Sequence, residues 1–264
     1  MLHDISIVRP MTKGRQQITL AAMKQKNPHG VRNPVRVKVL HDISIVRPMT
    51  KERHQITLAA MKQRQPLQHG CVYHIYNRGN NRENLFREER NYRYFLQLYA
   101  RHVSPVADTF AYCLLRNHFH LLVRTKGPQE PSRGSEPREG YPPTPTPTQA
   151  FSHCFNAYAQ GFNKAYGRTG SLFESSFKRI EVTTDRYFTQ LLFYIHFNPQ
   201  KHGFVKDFRE WPWSSYSSLL DTKPTRLQRA EVMDWFGNTQ HFQNFHQGIV
   251  DEKAIATLIG DDFD

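Results

Sequence analysis

The chain has 264 residues, a formal net charge of +13, 38% hydrophobic and 12% aromatic residues, and a mean hydropathy of -0.67. That composition supports one packed domain with solvated appendages and excludes a wholly disordered polyelectrolyte. No apolar run approaches the roughly 18 residues of a membrane span, no signal-type apolar stretch follows Met1, and Cys71, Cys113 and Cys154 form no C-x-x-C pair. A disulfide framework and a cysteine zinc site are therefore not expected, and a reducing cytoplasm is.

The excess charge is unevenly spread. Residues 1–66 hold 13 Lys and Arg against 3 Asp and Glu, residues 67–222 hold 19 against 13, and residues 223–264 hold 4 against 7. Basicity thus says little about the aromatic-rich middle, whose claim on nucleic acid must rest on its own chemistry.

In chain order, Leu2–Gln25 recurs as Leu40–Gln63, the copies differing only at Gly14/Glu52 and Gln16/His54. Two near-identical copies bury too little to make a solenoid. Residues 1–66 are read as a duplicated, loosely ordered basic extension, dispensable for the core. Order is expected from near Gly70. Cys71–Tyr76 is rich in β-formers and is stopped by the polar run Asn77–Arg82, giving a strand and a loop. Tyr92, Phe95, Leu96 and Tyr99 set a helical stripe over residues 88–103. Thr109–Leu115 and Phe119–Val123 form a hairpin around Arg116 and Asn117.

Residues 126–148 turn to Pro, Gly, Ser, Thr and Glu and read as a low-complexity insert. Helical spacing returns in Phe151, Cys154, Phe155, Tyr158 and Phe162, closed by Gly167 and Gly170. Ser176–Val182 reads as a strand carrying Lys178 and Arg179. Asp185 caps a helix running through Tyr187, Leu191, Leu192, Tyr194 and Ile195 to Asn198-Pro199, where the proline is expected to fray or kink it. Residues 223–264 are expected to form a C-terminal helical tail.

The chemistry centres on Asn117-His118-Phe119-His120. Alternation on a strand puts His118 and His120 on one face, a pair of imidazoles suited to a first-row divalent metal, while Phe119, Leu121 and Val123 anchor the other. Two structural histidines on a half-exposed strand are the commoner meaning of a bare His-x-His. Tyr194 and Asn198 lie one turn apart on one helix face. A metal held by two histidines and a carboxamide, beside a tyrosine hydroxyl, is what phosphodiester cleavage through a phosphotyrosine needs. Singly, Tyr194 reads as a core aromatic and Asn198 as a helix-end residue.

Six segments carry a resemblance in order: Tyr73-His-Ile-Tyr-Asn-Arg-Gly79, Asn117-His-Phe-His-Leu-Leu-Val123, Gly170-Ser-Leu-Phe173, Phe177-Lys178, Tyr194-Ile-His-Phe-Asn-Pro199 and Trp211-Pro-Trp-Ser-Ser-Tyr216. Across residues 71–220 the chain resembles the single-tyrosine, His-hydrophobic-His (HUH) transposases of the REP-associated type. The resemblance implies an α+β fold with a ferredoxin-like or RRM-like antiparallel sheet in residues 67–222. It also implies His118, His120 and Asn198 as metal ligands for Mg2+ or Mn2+ and Tyr194 as nucleophile. Single-stranded or hairpin DNA is the implied partner, for a monomer or homodimer. Arg78, Arg116, Lys178 and Arg179 are candidate phosphate contacts. The insert and the duplicated extension depart from the family pattern, which leaves a domesticated element open. Two rivals stand beside this reading: a non-catalytic RRM-type nucleic-acid-binding module, and a replication-initiator or relaxase nickase.

Overall fold

Four strands and the helices that cover them account for the middle of the chain in the computed structural model, which describes residues 65–127 and 145–247. The duplicated extension, apart from Gln65 and Pro66, lies outside the described residues, as do residues 128–144 of the insert and the chain after residue 247. The described residues all belong to the unit Met49–Asp264.

The elements in order are β1 (Val72–Arg78), α1 (Glu89–His102), β2 (Ala107–Leu114), β3 (His118–Thr125), α2 (Pro147–Ala165), β4 (Lys178–Glu181) and α3 (Asp185–Lys201). Three short helices follow: α4 (Ser215–Leu220), α5 (Arg229–Phe236) and α6 (Thr239–Phe245). The sheet runs β2-β3-β1-β4 with every neighbouring pair antiparallel, the order of a ferredoxin-like βαββαβ unit. Fold class and sheet type are those expected from the sequence.

Period-two alternation sorts the strand side chains into two layers. On one face Phe119 meets Phe95 of α1 and Phe155 of α2, with ring centroids 5.2 and 5.0 Å apart, and Phe151 meets Phe177 at 5.8 Å. Truncating one such ring to alanine costs about 3–5 kcal/mol. The other face is covered by α3, whose Phe188 meets Phe110 of β2 edge-to-face at 5.1 Å. Both faces of β3 are therefore buried, unlike the half-exposed strand that the bare motif allows.

Several boundaries differ from the sequence reading: α3 is capped by Thr184, whose hydroxyl oxygen accepts the Tyr187 N–H, with Asp185 already inside the first turn, and β4 keeps only Lys178–Glu181 of the expected Ser176–Val182. Helix α2 starts at Pro147, inside the expected insert, because Thr146 and Gln149 form a reciprocal capping box and Pro147 occupies the first turn, where its missing N–H costs nothing. Helix α3 runs through Pro199 to Lys201 rather than fraying at Asn198. The proline sits close enough to the end that the last turn is closed around it. His202 N–H donates to Asn198 O and Phe204 N–H donates to Pro199 O.

Candidate functional site

β3 places His118 and His120 on the face that α3 covers, opposite Arg78 and Tyr76 of β1 respectively. From α3, Tyr194 and Asn198 reach the same layer. The Tyr194 ring meets His120 edge-to-face at 5.6 Å, and Asn198 engages His118 in a polar contact that favours the charged imidazole. All four are buried, His118 at 3%, His120 at 0%, Tyr194 at 6% and Asn198 at 0% exposure. The structure thus brings together the four residues that the sequence marks for nucleophile and metal.

Each histidine is oriented through Nδ1. His118 Nδ1 faces Asn117 Oδ1 at 2.8 Å, and His120 Nδ1 faces His74 Nε2 at 2.9 Å. A ring held through Nδ1 presents Nε2 as its ligating nitrogen, the arrangement usual around metal-bound imidazole. Burial pushes His118 down to about 3, helped by the charges of His202, Arg78 and Lys201. Burial also drives His120 well below its ordinary value, with His74, His118, His202 and Lys201 adding to it. Both rings are neutral at pH 7, the form that carries a lone pair for a cation.

Asn198 does not swing away from its helix. Its Nδ2 donates to Tyr194 O at 2.8 Å, which ties the carboxamide to the Tyr194 backbone across one turn. Its Oδ1 is buried and faces His118, but among the described residues it makes no hydrogen bond of ordinary geometry. A buried carbonyl oxygen of that kind is costly unless something satisfies it, and two imidazole nitrogens with one amide oxygen suit Mn2+ and admit Mg2+. The residues present therefore fit such an ion. Among the described residues no group of three or more His, Cys, Asp or Glu could hold a metal, so a site on His118 and His120 would need the carboxamide as its third donor.

The basic candidates divide. Arg78 lies on the histidine face, 4.0 Å from Glu174, and Lys178 pairs in register with Tyr76 on that same face. Arg179 points to the opposite face, where its guanidinium lies 4.3 Å from the Phe177 ring centre and donates to Gln65 O. Arg116 stands on the β2–β3 turn, 5.7 Å from the Phe204 ring centre. Only Arg78 and Lys178 share the layer of the site.

A Haemophilus influenzae protein named as a REP-associated tyrosine transposase is 30% identical over 135 residues, spanning 50% of this chain and 68% of the relative. The chain belongs to the REP-associated tyrosine transposases. No protein-family model matches it. A solved REP-associated tyrosine transposase bound to a REP hairpin superposes with a TM-score of 0.43 at 16% identity, over 60% of this chain and 83% of the other. A bacterial tRNA(His) guanylyltransferase-like protein in complex with GTP gives 0.34 at 6% identity, over 56% and 71%. The fold assignment rests on the sheet order itself.

In this REP-associated tyrosine transposase the sequence reading missed three residues beside the site. His74 and Tyr76 of β1 lie against His120, with ring centroids 5.1 and 6.1 Å away, and His202 lies 4.9 Å from His118. A signal was present for the first two. The alternation in Val72-Tyr-His-Ile-Tyr-Asn-Arg78 puts His74, Tyr76 and Arg78 on one face, but only the strand pairing reveals that this face is shared with the His-x-His. His202 follows a proline expected to end the helix, so nothing pointed to it. Among the described residues no helix is long and apolar enough to cross a membrane.

Proposed function

We propose that the chain is a transposase-type strand transferase that cuts single-stranded DNA at hairpin-bearing repeats and stays joined to the 5′ end through Tyr194. The observation that carries this reading is the edge-to-face meeting of Tyr194 with His120, with Asn198 tied by its Nδ2 to the Tyr194 carbonyl. The candidate nucleophile and Asn198 come from α3 and the two histidines from β3, and they converge in one buried layer. In the cut, Tyr194 Oη bonds to phosphorus as the P–O3′ bond breaks. The phenol gives up its proton and the departing 3′ oxygen takes one up, so a phosphodiester replaces a phosphodiester and no nucleotide cofactor is required.

His118 Nε2, His120 Nε2 and Asn198 Oδ1 would hold Mg2+ or Mn2+. When bound, the ion supplies charge to a phosphate oxygen of the scissile bond. Lys201 lies with Nζ 5.4 Å from the Tyr194 ring centre and favours negative charge on that ring. Arg78 and Lys178, on the same face, are placed to receive the backbone of the bound strand. The protein acts on its DNA as a monomer or homodimer in the cytoplasm.

The test is a covalent one. Wild-type protein incubated with Mn2+ and labelled hairpin DNA from around its own gene should give an adduct that survives SDS. Tyr194→Phe should bind the same DNA and give none, with its melting temperature nearly unchanged because the ring still fills its site. An adduct from Tyr194→Phe would move the nucleophile elsewhere, with Tyr187, two turns earlier on α3 and held neutral by burial, the next to examine. Tight binding with no adduct from wild type would favour the non-catalytic nucleic-acid-binding module.

A further inference from the structure

His74 has no place in the chemistry above, yet it is completely buried on β1 and its Nε2 stands 2.9 Å from His120 Nδ1. Two imidazole nitrogens at that distance share one proton: one ring donates and the other accepts. If His74 donates, His120 must carry its own proton on Nε2 and has no lone pair there for a cation. If His120 donates, its Nε2 holds the lone pair and His74 carries its proton on Nδ1. On the protein side neither arrangement is imposed, because His74 Nδ1 meets no hydrogen-bond partner among the described residues. His74 also lies nearly parallel to His120, 18° between planes, and is backed by Tyr76 at 4.6 Å, so the imidazole pair is held in register by packing.

We propose that His74 is a positioning residue for His120: its Nε2 is the acceptor for the His120 Nδ1–H and makes available the tautomer in which His120 Nε2 can bind a divalent cation. This rests on the metal reading of the site and extends it to a residue that would touch neither the ion nor the DNA. The paired histidine on β1 does for His120 what Asn117 does for His118. The two supports differ, since Asn117 offers an oxygen that can only accept, while His74 can take either role. A bound cation therefore selects one of two proton arrangements in the His74–His120 pair, and the pair lacks that bias without it.

The experiment uses the full chain, without DNA, and Mn2+ alone as probe. His74→Phe fills the space and removes the acceptor, while His74→Gln keeps an acceptor at similar reach. Calorimetric titration should show Mn2+ affinity reduced roughly 10- to 100-fold in His74→Phe and restored to within about threefold of wild type in His74→Gln. Unchanged affinity in His74→Phe overturns the positioning role. Nitrogen-15 spectra of histidine-labelled wild type in Mg2+ should show His120 protonated on Nδ1 and His74 also on Nδ1. His120 protonated on Nε2 in that spectrum overturns the proposal, and this arm decides the matter if His74→Phe does not fold. Wild type that takes up no Mn2+, or His120→Ala that binds it normally, sinks the metal reading itself. Loss in His120→Ala with no loss in His74→Phe sinks only the present one.

Discussion

Two buried histidine pairs involve α3, one through His196 on the helix and one packed beneath it, and they are built differently. In the first, His246 Nδ1–H donates to Phe242 O at 2.8 Å, His196 Nδ1–H donates to His246 Nε2 at 2.9 Å, and the Ser215 hydroxyl donates to His196 Nε2 at 2.7 Å. Ser215 Oγ in turn accepts the Tyr112 N–H of β2 at 2.9 Å. Every ring nitrogen has a protein partner, and a backbone carbonyl at one end fixes the direction of the whole chain. The second pair, His74 and His120, has the same 2.9 Å spacing but nothing at the His74 end to set its direction. A closed relay ties α3, α4, α6 and β2 together. An open one leaves its direction to be set by something that binds.

The largest effects should separate the pairs by what is lost. His120→Ala is expected to reduce DNA cleavage about a thousandfold or more while the protein still folds, since an ion contributing several kcal/mol to the transition state loses a ligand. His196→Ala is expected to do the reverse. Cleavage per folded molecule stays within a few-fold, while urea denaturation shows a loss of about 3 kcal/mol from a cavity and two stranded hydrogen-bonding groups. Equal losses of cleavage in both variants would collapse the distinction.

Acid should act on the closed pair as it does on the buried site histidines His74, His118 and His120. Burial holds His246 down to about 4 and His196 well below its ordinary value. The unfolded chain therefore takes up protons first as pH falls. The stability that His246 contributes is whole above about pH 6.5 and drains as pH drops toward about 4, at roughly 1.4 kcal/mol per pH unit over that window, and His196 acts in the same direction. Denaturation midpoints at pH 7.5, 6 and 5 should fall in that order, and His246→Gln should make the fall shallower. A flat profile would mean that the relay opens to water.

Asn117→Ala probes the smallest difference, that between the two supports of the metal histidines. His118 lies at the start of β3 beside a turn where water can replace the lost acceptor. Mn2+ affinity should therefore fall only about threefold to tenfold, less than for His74→Phe. A larger loss would make Asn117 the dominant support.

The sheet and its helices were legible because their signals are local. Phe151, Cys154, Phe155, Tyr158 and Phe162 mark α2 by spacing alone, and all five are buried. His118, His120, Tyr194 and Asn198 could be marked because a strand repeats every two residues and a helix turn every four. What could not be read was which strand face meets which helix. That pairing buries His118 and His120 under α3 and brings His74 of β1 against His120 of the neighbouring β3. Pro199 misled for a related reason, since a proline near a helix end disturbs only bonds that neighbouring groups can remake. The duplicated extension lies outside the described residues, and its expected dispensability stands as a proposal.

The sheet has two edges, and only one is closed. Along β2, Thr109 bridges Leu227, Cys113 bridges Ser214, Leu114 N–H donates to Trp213 O and Tyr112 N–H donates to Ser215 Oγ. No strand can be added there without stripping those segments away. At β4 the edge is four residues long and begins with Lys178 and Arg179, and no further strand pairs with it among the described residues. Short, charged edges are poor templates for stacking copies of a sheet. With helices on both sheet faces, the described domain thus also lacks a long, flat rim through which copies could stack.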